Sequence, residues 1–234
     1  VHVGYQGTSF CENPVKHFEK CGENASWTLS GSSCLQVFGD GAMNDYSADN
    51  LPSCSGNPSI KTVSIEEGIT VIGSYAFADL SMVESLTIPA SVEEIHSNAF
   101  HKWSSLSTIT VAEGSSSFVV NENVLFTTDK TTLVQYPAKK TATRYEIPES
   151  VTTINGGAFS GNIFLTEVVI QGNVVKIDES TFEGCTALKS VTLPSGVTAI
   201  GASAFKDCSA LSSEIILQNV KIIPKEAFSG CSKI

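Results

Sequence analysis

The sequence contains few charged residues and no cluster of basic ones. Of its 234 residues, 14 are Lys or Arg and 24 are Asp or Glu, so the formal net charge is −10 and charged residues make up 16% of the chain. An average domain contains about 25%. Nucleic acids and anionic membrane surfaces attract clustered Lys and Arg, so no nucleic acid is expected as a partner. No apolar run approaches the roughly 18–20 residues of a membrane-spanning helix, so no direct membrane insertion is expected either.

Sequence patterns typical of catalytic and metal sites are also missing. The chain has four histidines and seven cysteines, but no CxxC pair and no Ser-His-Asp, Cys-His or paired-carboxylate pattern. His96 and His101 occupy repeat positions that small or polar residues fill elsewhere, so both are expected to face solvent. The sequence therefore predicts no enzyme, no catalytic residue, no metal site and no cofactor. The chain starts at Val1 without Met or a signal peptide, as expected of a processed or trimmed piece.

A 23-residue repeat is the main feature that the sequence does have. Phenylalanine, preceded by Ala or Thr, recurs at intervals of 23, 59, 23, 23 and 23 residues, and an isoleucine stands five residues before each one. Such self-similarity is typical of a solenoid, in which each unit buries its apolar edge against the next. We expect the repeated phenylalanines to form the structural core as one continuous stack. They are Phe77, Phe100, Phe159, Phe182, Phe205 and Phe228.

Each unit contains two short extended pieces and one turn. In the unit that starts at Leu188, Val191 and Leu193 alternate with polar residues, which is typical of a half-buried strand. Proline follows this piece in three units and ends the strand, because proline cannot donate to a strand ladder. A second short extended piece leads into the phenylalanine, where the spacing predicts a single helical or 3₁₀ turn.

The units follow the pattern Ile-Pro-x-x-Val-x-x-Ile-Gly-x-x-Ala-Phe-x-x-Cys-x-x-Leu over residues 60–234. This pattern resembles the BspA-like leucine-rich repeats of surface proteins in bacteria and some protist parasites. Residues 21–29 and 39–46 are similar to the N-terminal module of that family. The resemblance implies a right-handed leucine-rich repeat solenoid, with a parallel β-sheet on one face and short strands and single turns on the other. It also implies roles in adhesion and in binding host proteins.

Two segments fall outside the regular units. Residues 1–59 lack the repeat and are predicted to form a small cysteine-containing cap, because solenoids need caps for solubility. The solenoid is predicted over residues 60–234. The long interval between Phe100 and Phe159 indicates an insert at about residues 112–141, where short β-type runs separated by turn residues predict a meander.

The cysteines divide into a repeat group and a cap group. Those of the repeats are expected to be buried small hydrophobic residues, and they are Cys185, Cys208 and Cys231. An even number of cap cysteines in a chain of extracellular type predicts two disulfides, with free thiols as the alternative. The disulfide candidates are Cys11, Cys21, Cys34 and Cys54. All three pairings stay open, with a weak preference for joining neighbours in chain order. Asn24 begins the one N-x-[ST] sequon and is a candidate glycosylation site.

The outward positions of the strands supply the candidate binding surface. Early units carry columns of Ser and Thr, and units after the insert carry charged and apolar residues in the same columns. Columns of Ser and Thr are expected on the exposed face of a β-sheet even without a binding role. Solenoids also offer extended surfaces to protein partners. The candidate partner-binding residues are Arg144, Glu146, Glu167, Val169, Thr192 and Ile215.

Taken with the family resemblance, these features predict an extracellular or cell-surface module that binds host or partner proteins through a face of the solenoid. The alternative is a structural building block of an extracellular filament or coat that associates end to end. That alternative depends on Ile234, which occupies the leading apolar position of a unit with no polar cap after it.

Overall fold

The computed structural model describes residues 18–31, 33–213 and 217–234, and no helix occurs in these ranges. The N-terminal segment contains β1 (Phe18–Lys20), β2 (Ala25–Ser30), β3 (Cys34–Gly39) and β4 (Gly41–Ala42). The first repeats contain β5 (Thr62–Ile65), β6 (Ile69–Ile72), β7 (Ser85–Ile88), β8 (Glu94–Ile95) and β9 (Thr108–Val111). The insert contains β10 (Phe118–Asn121), β11 (Val124–Thr127) and β12 (Thr132–Gln135). The later repeats contain β13 (Arg144–Ile147), β14 (Thr153–Ile154), β15 (Glu167–Ile170), β16 (Lys176–Ile177), β17 (Ser190–Thr192) and β18 (Ala199–Ile200).

The repeats stack in parallel, one coil upon the next. Strand β7 pairs with β9, and β13 pairs with β15, which pairs with β17, so that residues 23 positions apart lie opposite each other. The second strands of the coils form parallel pairs of their own, as in β6 with β8 and β16 with β18. This stacking confirms the predicted leucine-rich repeat solenoid. We number its coils 1 to 6 after their phenylalanines, from Phe77 to Phe228.

The N-terminal segment continues into the solenoid sheet. Strand β2 pairs antiparallel with β1 on one side and with β3 on the other. Strand β3 then pairs in parallel with β5, and β4 pairs in parallel with β6. Side chains of this segment and of coils 1 and 2 share one hydrophobic core, which includes Trp27, Leu35 and Phe77. The segment predicted as a cap is therefore joined to the first coil by backbone hydrogen bonds and by apolar packing.

Each phenylalanine lies within a run of hydrogen-bonded turns. In coil 4, the backbone N–H of Glu183 donates to the carbonyl of Ser180, and that of Cys185 donates to Phe182. The residues two positions before and two positions after the phenylalanine have a positive φ in every coil, for example 54° at Ser180 and 74° at Gly184. A left-handed residue other than glycine costs about 1–2 kcal/mol. The repeated bonds between coils offset this cost.

The insert stands between two hydrophobic cores. Strands β10, β11 and β12 form an antiparallel meander, and β12 pairs in parallel with β14. Because side chains alternate along a strand, Leu125 and Val134 join the core of coils 1 and 2, whereas Phe126 and Leu133 join the core of coils 3 to 6. The ring of Tyr136 then stacks on Phe159 at 5.0 Å. Tyr136 thus takes the place that a coil phenylalanine would occupy.

The phenylalanine rings form two stacks, so the prediction of one continuous stack is wrong. The first joins Phe77 and Phe100, with ring centroids 6.0 Å apart. The second runs from Phe159 to Phe228 with separations of 5.0, 5.3 and 5.1 Å. The insert separates the stacks because its own side chains fill the space between coils 2 and 3. The rings of coils 1 to 5 are buried, and that of Phe228 is half-buried.

The repeat cysteines donate hydrogen bonds as well as filling space. Cys185 and Cys208 are fully buried and Cys231 is half-buried. Each thiol donates to the carbonyl of the phenylalanine in the coil before it, at 3.2, 3.1 and 3.0 Å respectively. In coil 2 the indole N–H of Trp103 donates to Phe77 in the same way. Burial raises the pKa of Cys185 to about 12, which makes this thiol unreactive.

The predicted pair of cap disulfides is wrong. Cys21 and Cys54 are free thiols buried in the core of coils 1 and 2, so Cys34 pairs with neither. Burial raises the pKa of each free thiol to about 11. Cys11 lies outside the described residues. The candidate glycosylation residue Asn24 is exposed, immediately before β2.

Candidate recognition surface

Strands β13, β15 and β17 bring the candidate binding residues onto one face. Their register places Arg144 opposite Glu167, and Glu146 opposite Val169, which in turn lies opposite Thr192. These side chains are exposed or half-buried, while the residues between them point into the core. The period of two in the sequence therefore produces one mixed strip of charged, apolar and hydroxyl groups.

Arg144 links two strands of this face. Its Nη1 lies 2.5 Å from Oε1 of Glu146, and its Nε lies 3.2 Å from Oε2 of Glu167. The amide of Gln171 donates to Glu146 from the next segment at 3.1 Å. Hydrogen bonds to the two glutamates raise the pKa of Arg144 above its usual value. The guanidinium is half-exposed, so the ion pairs hold a charged group in a defined position at the surface.

A groove of about 660 Å³ opens beside this face, between the segments that follow β15 and β17. Val169 and Leu193 line it together with Val175, whose exposed fraction is 57%. Gly172 also lines the groove, and a Cβ there would lie 2.1 Å from the carbonyl oxygen of Val151, so that only glycine fits. Ile215, predicted to extend this apolar surface, lies outside the described residues.

The same face differs in the coils before the insert. There the hydroxyls of Thr87 and Thr110 bond to each other at 2.8 Å, and the hydroxyl of Ser107 donates to the carbonyl of Glu84 at 3.0 Å. These hydroxyls therefore form their hydrogen bonds within the sheet. The strip on β13, β15 and β17 offers a partner more varied chemistry.

A second polar site lies at the turn edge of the solenoid, around His101. Its Nε2 is 3.0 Å from a carboxylate oxygen of Glu183, and its Nδ1 is 3.6 Å from Asp79. Glu183 also accepts from the hydroxyl of Ser180 at 2.7 Å and lies 3.0 Å from the ammonium of Lys102. The side chains of His101 and Glu183 are only 8% and 7% exposed.

These contacts shift the charge states of the buried groups. Burial would raise the pKa of Glu183, but hydrogen bonds from His101, Ser180 and Lys102 outweigh burial and lower it to about 2. Burial would lower the pKa of His101, but the carboxylates of Asp79 and Glu183 outweigh burial and raise it. The geometry therefore favours an ionised Glu183 beside a protonated His101.

Small residues in coil 3 allow this cluster to form. The turn of coil 3 has only glycine or serine on either side of its Ala-Phe pair, at Gly156, Gly157, Ser160 and Gly161. Side chains from coils 1 and 2 therefore reach past it to coil 4, as in the 3.0 Å hydrogen bond from the hydroxyl of Tyr75 to Glu179. A polar cleft of about 260 Å³ lies between these turns and residues 48–51.

The burial of His101 contradicts the prediction that it faces solvent. His96 is more exposed; its Nδ1 lies 2.6 Å from Asp45, and this carboxylate raises the pKa of His96. The sequence does contain a signal for the buried pair, because His101 and Glu183 occupy the same repeat position, directly after the phenylalanine. The shared position predicts a contact between the two side chains only because the turn of coil 3, which lies between them, carries small residues.

In the parts of the chain that the structure describes, no group of three or more His, Cys, Asp or Glu side chains is arranged to hold a metal ion. Within the same ranges, no helix has the length and apolar character to cross a membrane.

Sequence and structure comparisons agree on the fold of this chain. The family profile described as BspA type leucine rich repeat region matches in six copies, over residues 52–138 and 138–234. No curated protein sequence matches the chain. A leucine-rich repeat protein from Eubacterium ventriosum is 24% identical, with a TM-score of 0.60 over 93% of this chain and 77% of that one.

Two further solved structures are similar. The pneumococcal vaccine antigen PcpA is 18% identical, with a TM-score of 0.57 over 91% of this chain and 84% of that one. A leucine-rich cell surface protein from Faecalibacterium prausnitzii is 18% identical, with a TM-score of 0.53 over 95% and 94%. At these identities the structures establish a shared solenoid fold.

Proposed function

The chain belongs to the BspA type leucine-rich repeat family, and from this premise we propose that it is a recognition module that binds a protein partner. The contact surface is the face of β13, β15 and β17 with the groove beside it. One observation carries the proposal: Arg144, held between Glu146 and Glu167, lies on the same strip as Val169 and the groove. A positioned charge beside apolar surface suits protein recognition.

The proposed location is extracellular or at the cell surface. The similar F. prausnitzii protein is a cell surface protein, and the similar pneumococcal protein is a vaccine antigen. The low proportion of charged residues and the net charge of −10 fit a surface covered by hydroxyl groups. We propose recognition by contact as the role of this surface, with no enzymatic step and no cofactor.

The experiment is a binding screen against purified extracellular matrix and serum proteins by biolayer interferometry. Any partner found is then titrated against Val169→Lys, which changes the centre of the strip. The matched control is Thr87→Lys, which places the same charge on an exposed strand position before the insert. We expect Val169→Lys to weaken binding at least tenfold and Thr87→Lys to leave it unchanged.

Two results would contradict the proposal. One is that no protein in the screen binds the folded chain. The other is that a partner binds the two lysine variants with equal affinity, which would move the contact away from β15.

Self-association is the second candidate function. Two isoleucines before the phenylalanine of coil 6 are exposed, since Ile222 and Ile223 are 76% and 51% exposed. Exposed apolar groups of this kind favour contact between copies. Light scattering over a range of protein concentrations distinguishes the two candidates. An average mass that grows with concentration as linear assemblies form favours a building block, and a constant mass favours the recognition module.

A further inference from the structure

The insert interrupts the strand side of the solenoid between coils 2 and 3. Strand β9 pairs with β7 but not with β13. The side chain of Asn123 closes its outer edge instead, accepting from the N–H of Ile109 at 2.9 Å and donating to the carbonyl of Ser107 at 2.6 Å. The insert thus satisfies one N–H of β9 and the carbonyl just before this strand, and among the described strands β9 forms no ladder with the first strand of coil 3.

The insert extends as far as the phenylalanine position, where the N–H of Tyr136 donates to the turn of coil 3 at 2.8 Å, but the outer turn edges of coils 2 and 3 meet directly. The N–H of Asn98 in coil 2 donates directly to the carbonyl of Gly156 in coil 3 at 2.8 Å, and the amide of Asn155 donates to Ile95 at 3.1 Å. Extra chain therefore lies between the coils from the strand side as far as the phenylalanine position, whereas their outer turn edges are in direct contact. An insert in this position is expected to act as a wedge that inclines the coils toward their turn edges.

We infer that the insert bends the solenoid and that the polar cluster around His101 clamps this bend while His101 carries its proton. The clamp connects coils 1 and 2 with coil 4 across the small turn of coil 3, through His101 to Glu183 and Tyr75 to Glu179. This device does not depend on the proposed function. It sets the angle between the strand face before the insert and the strand face after it.

The proton on His101 matters because the ring faces two carboxylates. A protonated imidazole donates from Nε2 to Glu183 at 3.0 Å, and its other N–H and its positive charge face Asp79 at 3.6 Å. A neutral imidazole donates from one nitrogen only, and the other nitrogen then presents a lone pair to a carboxylate. The charged or titratable groups that line the cleft with the ring are Tyr75 and Asp79 from coil 1, Lys102 beside it, Glu179 and Glu183 from coil 4, Lys206 from coil 5, Glu226 from coil 6 and Asp49 from the N-terminal segment.

The direction of the pH effect follows from these partners. The pKa of His101 is raised above 6.5, while Glu183, with a pKa of about 2, stays ionised at neutral pH. The clamp is therefore complete below about pH 6.5 and weakens as pH rises through the raised pKa of the folded state. Loss of the clamp lets the turn edges of coils 2 and 4 separate.

The experiment measures one distance at two pH values. Spin labels carried by noncanonical amino acids replace Met82 and Thr186, two exposed residues at the turn edges of coils 1 and 4. Electron–electron resonance then gives their separation at about pH 6 and about pH 9, either side of the usual histidine range. The matched control is His96→Gln, because His96 also has a raised pKa but pairs with Asp45 outside the cluster.

We expect the separation to increase from the lower to the higher pH in the unsubstituted chain and in His96→Gln. We expect the increase to be lost in His101→Gln. An imidazole titration by NMR gives a second measurement in the unsubstituted chain, and its midpoint should coincide with that of the distance change. A separation that stays constant while His101 titrates, or a pH step that persists in His101→Gln, would overturn the inference.

Discussion

Truncation of Phe182 to alanine tests the packing of the solenoid most directly. The ring is fully buried in coil 4, with Phe159 and Phe205 stacked on its two sides at 5.0 and 5.3 Å. A buried Phe→Ala change typically costs about 3–5 kcal/mol, and each stacked pair contributes about 0.5–1.5 kcal/mol beyond area burial. Because Phe182 loses two stacked neighbours, we expect a loss of about 4–5 kcal/mol in the free energy of unfolding.

The matched control is Phe228→Ala in coil 6. Phe228 is half-buried and stacks on one ring only, at 5.1 Å from Phe205, so its truncation should cost about 1–2 kcal/mol. Urea unfolding followed by far-UV circular dichroism measures both variants. A loss for Phe182→Ala that is no larger than the loss for Phe228→Ala would refute the stacked-core reasoning.

Three further predictions concern a buried charge, a buried thiol and a strained turn. The pKa of Glu183 is lowered from 4.5 to about 2, so the ionised carboxylate stabilises the fold by about 3 kcal/mol above pH 4.5. This contribution is lost as pH falls from 4.5 toward 2. Urea unfolding at several pH values should show the loss in the unsubstituted chain and should not show it in Glu183→Gln. Cys185→Ser keeps a donor for the carbonyl of Phe159, so it should be more stable than Cys185→Ala by about 1 kcal/mol in thermal unfolding; equal stabilities would contradict the hydrogen bond. Gly161→Ala, at a φ of 77°, should cost about 1–2 kcal/mol, whereas Gly196→Ala, with open space around it and no positive φ, should be neutral or slightly stabilising in the same assay.

The repeat determines much of the fold because its physics is local. A strand piece alternates with period two, and a large ring returns once in each coil, so apolar edges must stack on their copies. Both constraints, the alternation within a strand and the return of one large ring in each coil, act only within a unit and its neighbour. Both are therefore visible in the sequence as a 23-residue repeat. The stacking of Arg144 on Glu167 and of Val169 on Thr192 follows directly from that spacing.

The N-terminal cysteines show where sequence reasoning fails. Their even number suggested two disulfides, yet Cys21 and Cys54 are buried as free thiols. A disulfide forms only where the fold brings two cysteine side chains together. The number of cysteines in the sequence does not specify the distances between them.

The sequence alone determined the solenoid, its insert and the strip on the later strands, because each of these depends on periodicity. The division of the core by the insert, with Tyr136 in place of a repeat phenylalanine, follows from tertiary packing. The burial of His101 against Glu183, 82 residues away, follows from tertiary packing as well. Such contacts depend on what fills the space between coils. That property belongs to the whole stack and to no single repeat.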